Sequence, residues 1–330
     1  MATLTSFPPP PPPPPPSAEL GSAASSLPDL LDLLPFFFFF LLLFPPAANS
    51  SLASLLSIPF PPSPPPPPTP IDDVVILPDA SSVGEAVRSL VIECAERALN
   101  ERGHFALAIP GGSILKMLVG MSSDDGEGPD MSWTTKTTLC YVNHKCVDAD
   151  DVELSTHAKA HKLFLDEWEG VNVLCPDGTD DGPGEAASYE DRMRALPEDV
   201  LPRCVDTGLP VFDLALIGVG DDGHVGSLYP GRDEVKVGDD GPWVLSVDMK
   251  SPPSITLSLP VMKNARRSVV AACGVSDKYP KGKSEGMRRA VADGGETIET
   301  FPAVGLRGSS TWIMDEAAGS DLGDEYLQRE

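Results

Sequence analysis

The chain changes character at about residue 70, and that break limits what can fold. Residues 1–70 hold 22 of the 37 prolines, no Lys or Arg, and only three acids, Glu19, Asp29 and Asp32. Prolines run unbroken from Pro8 to Pro16 and again from Pro64 to Pro68. Such runs favour polyproline II or disorder and cannot build a core. The folded part is therefore expected at 71–330, a length near the upper limit for one domain. All 24 Lys and Arg, and all but three of the 49 acids, lie there. A body that acidic argues against a general nucleic-acid binder, because phosphate-backbone affinity depends on Lys and Arg. An anionic small molecule stays open if a local basic patch overrides the global field. Six Cys without a CxxC pair suggest neither a zinc site nor a disulfide framework, and point to a reducing compartment.

The leader also contains an all-Phe and Leu run at 36–44. Pro28, Asp29, Asp32 and Pro35 interrupt the apolar stretch before it, so the clean part is short for a membrane span. A secretory signal wants a basic n-region, and no basic residue precedes Arg88. Ser22, Ser25, Ser26, Ser50, Ser51, Ser54 and Ser57 in an acid-poor setting suit a plastid transit peptide, although the Arg such peptides usually carry is missing. Organelle targeting is favoured over an inert leader or membrane insertion, with a cytoplasmic location as the alternative and no stable membrane association.

In the body, Val74 to Leu77 reads as a short strand, and Ser81 or Ser82 as the N-cap of an amphipathic helix running to about Asn100. Phe105 to Ile109 is an apolar strand of the fully buried type. It ends in Pro110-Gly111-Gly112-Ser113, followed by a helix from Ile114. Strand, glycine turn and helix is a place where an anion can sit against free backbone N–H groups, though many such turns bind nothing. Leu139 to Val142 is the next strand, delivering Asn143, His144 and Lys145 to its C-terminal end, where ligands gather in open α/β sheets. A helix over 155–168 places His157 and His161 four apart. Zinc would accept that spacing, but no third ligand is evident, and a solvated helix face is expected. Residues 177–185 read as an acidic Gly-rich loop and 189–196 as a helix.

Asp213 to Ile217 is a strand that stops at Gly218-Val219-Gly220, before Asp221-Asp222-Gly223-His224. Glycines on both sides free the backbone to aim one imidazole out of a tight turn. Histidine titrates closest to working pH, and Asp222 could fix its tautomer. A capped loop whose His bonds a carbonyl accounts for the same spacing. Ile255 to Leu259, Ser268 to Ala272 and Ser310 to Met314 look like further strands. Over 278–289 lie Lys278, Lys281, Lys283, Arg288 and Arg289 against one acid, Glu285. That cluster is either a solvated helix start or a local site for an anion.

The ordered set Phe105-Ala106-Leu107 to Gly111-Gly112-Ser113, Phe212-Asp213-Leu214 to Gly220-Asp221-Asp222-Gly223-His224, Ser227-Leu228-Tyr229-Pro230, Ile255-Thr256-Leu257 and Trp312-Ile313-Met314-Asp315 resembles 6-phosphogluconolactonase over about 71–322. With the Pro-rich leader it looks most like the plant forms assigned to chloroplasts. The related glucosamine-6-phosphate deaminases share an Asp-Gly-His turn but follow it with an Asn-Glu-Pro type of sequence. The resemblance implies an α/β fold, a mostly parallel open sheet with helices on both faces (NagB/RpiA-like, Rossmann-type), as a single domain at 71–330 behind the leader 1–70.

It further implies hydrolysis of 6-phosphoglucono-δ-lactone to 6-phosphogluconate in the oxidative pentose phosphate pathway, with no cofactor and no metal. His224 would be the general base, with Asp222 beside it. Gly111, Gly112 and Ser113 would hold the 6-phosphate with Lys145 and Lys283, Lys283 being preferred over Lys278. The partner is a small sugar-phosphate lactone, and a monomer is the default expectation. The chain departs from the family where Asn143-His144-Lys145 replaces Asp-Glu-Arg and where Ser254 replaces an Arg. Lysine keeps the charge but lacks the planar fork. The alternative implied is a weakened or inactive phosphosugar-binding homologue.

Overall fold

The computed structural model describes residues 74–121, 130–275, 282–292 and 294–327. The chain divides into two units, 1–65 and 66–330, and every described residue lies in the second. The expected leader over 1–70, and Lys278 and Lys281, lie outside the described residues.

Seven strands make one parallel sheet. In chain order they are β1 (Val74–Leu77), β2 (Phe105–Ile109), β3 (Thr137–Tyr141), β5 (Asn172–Leu174), β6 (Leu214–Ile217), β9 (Ser268–Ala272) and β10 (Ser310–Asp315), and their spatial order is β1-β10-β9-β6-β2-β3-β5. Period-two alternation decides which side chains go to which face. Phe105, Leu107 and Ile109 enter one core, while Ala106 and Ala108 enter the other. The first core is closed by α1 (Ala80–Arg102) through Val83, Val87, Val91 and Ala95. The second is closed by helices over 182–195 and 284–291 through Tyr189, Met193, Met287 and Ala290. The sheet is thus covered on both faces, as expected from continuously apolar strands.

Strand order reverses between β2 and β6: β3 and β5 continue on one side, β9 and β10 on the other. Such a switch point opens a crevice at the C-terminal ends of its two strands. The two loops that leave β2 and β6 there begin at Pro110 and Gly218.

A second, three-stranded antiparallel sheet was not anticipated. It joins β4 (Asn143–Lys145), β8 (Ser254–Leu257) and β7 (Val244–Val247) in the order β4-β8-β7. The strand expected at 255–259 therefore belongs to this sheet, not to the main one. Other boundaries also move. Helix α1 is capped by Asp79, which accepts from Ser82 N at 2.9 Å, so neither Ser81 nor Ser82 is the cap. The helix expected at 189–196 begins at Gly182, where Asp181 caps it by accepting from Gly184 N at 3.2 Å. The helix expected over 155–168 spans Thr156–Leu163 and is capped by Ser155.

Candidate active site

The loop after β6 is a tight turn. Gly223 N donates to Gly220 O (3.1 Å) and Gly220 N to His224 O (2.9 Å). Two glycines are required here for different reasons. Gly223 has φ of 82°, and a Cβ on it would overlap the Phe301 ring; Gly220 lies under the His224 ring and has no room for one. The turn turns the imidazole back onto Asp222. His224 Nδ1 lies 2.5 Å from Asp222 Oδ1, which also accepts from His224 N at 3.1 Å. A proton on Nδ1 satisfies that contact and leaves the Nε2 lone pair available, and among the described residues Nε2 has no partner. Burial pushes the Asp222 carboxyl up, but the His224 amide, charge and ring bond outweigh it, so it is held below the usual carboxylate range. The ring is one-fifth exposed and lies 4.8 Å from Tyr229 at 36°.

Lys283 reaches the same loop from the start of the 284–291 helix. It is 9% exposed, and its Nζ donates to Val219 O at 2.8 Å. Gly111 and Asn143 tie the β2 loop to this one. Asn143 Oδ1 accepts from Gly111 N (3.3 Å) and its Nδ2 donates to Ser227 Oγ (3.3 Å), while Ser227 N donates to Thr256 Oγ1 (3.1 Å). The glycine turn, β4, β8 and the His224 loop therefore meet at the switch point. Gly112 and Ser113 are exposed, and no described residue accepts from their N–H groups. The helix after them, α2 (Ile114–Met117), has one turn. Its dipole is correspondingly weak, so any anion held here rests on loop N–H groups.

The substituted triplet is accommodated rather than disordered. His144 is 1% exposed; its Nδ1 lies 2.6 Å from Lys145 O, and its Nε2 takes His157 N at 3.1 Å and sits 3.1 Å from Ser155 Oγ. An imidazole protonated on Nδ1 satisfies these partners. Burial pushes its pKa down to about 4, so it is a neutral structural group. Lys145 Nζ donates to Pro252 O at 2.6 Å, and Lys145 pairs in register with Ser254, so the two positions where the resemblance led to an expected Arg are neighbours across β4 and β8. Burial first, then the charge of Lys250, lowers the Lys145 pKa.

The expected solvated face for His157 and His161 is corrected at His157. His157 Nδ1 lies 2.8 Å from Tyr141 Oη, with the two rings 5.9 Å apart, so His157 packs inward, whereas His161 keeps the solvated face, its side chain 41% exposed and 2.7 Å from Asp166. Among the described residues no three His, Cys, Asp or Glu side chains converge to hold a metal. Sequence reasoning missed Asn143 as the tie between loops, Thr256, and Lys250, whose Nζ lies 4.9 Å from the Tyr229 ring centroid.

The model of the family of glucosamine-6-phosphate isomerases and 6-phosphogluconolactonases matches residues 78–313. The chain belongs to this family. The probable 6-phosphogluconolactonase of Schizosaccharomyces pombe is 31% identical over 256 residues, which cover 74% of this chain and 93% of that protein. The chloroplastic 6-phosphogluconolactonase 3 of Arabidopsis thaliana is 28% identical over 244 residues, covering 70% and 69%. The crystal structure of 6-phosphogluconolactonase from Leishmania guyanensis superposes with a TM-score of 0.60 at 24% identity, over 76% of this chain and 99% of that one. That likeness shows the fold. The glycine turn and the His224 turn leave the two strands that flank the switch point, β2 and β6.

Proposed function

We propose that this chain hydrolyses 6-phosphoglucono-δ-lactone to 6-phosphogluconate, as its family relatives are named for doing. The supporting observation is His224, fixed by Asp222 on Nδ1, its ring part-exposed and its Nε2 without a partner among the described residues. In this reading Nε2 takes a proton from water as the hydroxide adds to the lactone carbonyl. The ring C–O bond then breaks, and the imidazolium returns the proton to the departing ring oxygen. Ionised Asp222 stabilises the imidazolium between those steps. The phosphate would lie against the N–H groups of Gly112 and Ser113, with Lys145 as the cation on one side. Lys283, bonded to Val219 O, shapes the His224 loop and adds positive charge behind it.

The test is lactone consumption above the spontaneous rate, coupled to a dehydrogenase that uses 6-phosphogluconate. His224→Ala is expected to lose about 10²–10⁴ in rate, the usual worth of a positioned acid–base group. Equal rates for variant and wild type would end the lactonase reading. The substituted Asn143, Lys145 and Ser254 favour a second reading, a phosphosugar binder without turnover, which retained 6-phosphogluconate binding with no hydrolysis would support.

We also propose that 1–70 is a transit peptide for the chloroplast and 71–330 the enzyme domain. The Ser-rich, acid-poor leader supports this, as does the chloroplastic relative. A fluorescent protein fused to 1–70 should enter plastids; diffuse cytosolic signal would remove the idea.

A further inference from the structure

The β7–β8 loop brings a second lysine to the His224 site. Lys145, on β4, donates from Nζ to Pro252 O in that loop, so it holds the segment from which Lys250 projects. Lys250 is exposed, its Nζ 4.9 Å from the centroid of Tyr229, whose ring in turn lies 4.8 Å from His224. The two lysines feel each other's charge. Among the described residues neither has a carboxylate within ion-pair distance, although this body is rich in acids. The nearest acid along the loop, Asp248, is already paired with Arg232. Two cations tied to one loop without a counter-ion repel each other, and an anion bound by both relieves that repulsion. A lysine that only covers an aromatic ring needs no second cation beside it.

We propose that Lys250 contacts the substrate: with Lys145 it grips the phosphate of the sugar lactone at the mouth of the His224 site and sets the preference for a phosphorylated over an unphosphorylated lactone. This rests on the lactonase reading for the identity of the anion, and on the Lys145–Tyr229–His224 arrangement for its place. Lys250 thereby supplies the positive charge that Ser254, on the adjoining strand, does not.

The experiment compares wild type, Lys250→Gln and Lys250→Arg by steady-state hydrolysis of 6-phosphoglucono-δ-lactone and of glucono-δ-lactone, and by calorimetric binding of 6-phosphogluconate. Lys250→Gln should raise KM for the phosphorylated lactone roughly tenfold to a hundredfold, as the loss of a hydrogen bond to a charged group implies. Its kcat should stay within about threefold. The preference for the phosphorylated lactone should shrink by the same factor, and Lys250→Arg should recover most of it. An unchanged KM, or an equal change for both lactones, overturns the proposal and leaves Lys250 as a cover for Tyr229. If wild type hydrolyses neither lactone, the lactonase reading fails, and the calorimetry decides alone. Weaker 6-phosphogluconate binding by Lys250→Gln would then sustain the contact, while equal binding, or none by wild type, would refute it.

Discussion

At the N-terminal ends of β2 and β6, Asp213 is buried between Arg102 and Arg266 and accepts Ala106 N at 2.7 Å. At the C-terminal side of the same sheet, Lys145 and Lys250 have a carbonyl and an aromatic ring as partners instead of carboxylates. Both regions carry basic side chains, but only one neutralises them internally. Around Asp213 both guanidiniums have carboxylate partners, which ties the entry of β6 to β2. Around Lys145 the positive charge is left over, in a body where acids greatly outnumber bases. Paired charges hold this fold, and unpaired ones are where an anionic substrate gains most.

Changes at the two ends should therefore fail differently. Asp213→Ala strands the buried Arg102 guanidinium and the Ala106 N–H, while half-exposed Arg266 keeps Glu101. It should cost about 3–5 kcal/mol, as removing one partner of a buried pair does, and lower the melting midpoint by about 10 °C. Activity per folded molecule should be retained. Loss of activity in the folded fraction would blur the comparison.

Acid should act next most strongly, through His144. Its folded pKa of about 4 lies below the ordinary value of 6.5. The unfolded chain therefore binds a proton in that window that the folded one refuses. Stability should fall as pH drops from 6.5 towards 4, by on the order of 3 kcal/mol in total. Urea titrations across that range should show the fall, and His144→Gln should remove this part of the slope. Gly223→Ala ranks third. It forces a side chain into φ of 82° and against Phe301. It should cost about 1–2 kcal/mol in stability but lower kcat by more than tenfold, because a displaced imidazole loses its alignment. Smallest is Lys145→Arg, whose planar fork suits phosphate better than an ammonium. It should raise kcat/KM a fewfold, and no change would mean that Lys145 is not the phosphate contact.

Much of this architecture was legible in the sequence. Strands such as Phe105–Ile109 are apolar throughout because both faces are covered, and the turns at Gly111 and His224 announce themselves through glycine. The short β5 and β7, of three and four residues, carry too little periodicity to register. The helix start at Gly182 hid in Gly and Pro that usually mark loops. Within the site, the positions of Lys145 and Lys250 depend on β4 pairing with β8, and the Lys145–Pro252 bond spans 107 positions along the chain. No local pattern encodes such a contact. His144 looked like a lost carboxylate, whereas only the fold reveals that its neutral ring accepts the helix-start N–H of His157.

The claim that unpaired lysines at the sheet's C-terminal side hold the anion is tested most directly by calorimetric binding of 6-phosphogluconate to Lys145→Gln. The account predicts affinity weaker by about tenfold or more, with a melting midpoint within about 2 °C of wild type. Unchanged affinity would contradict it.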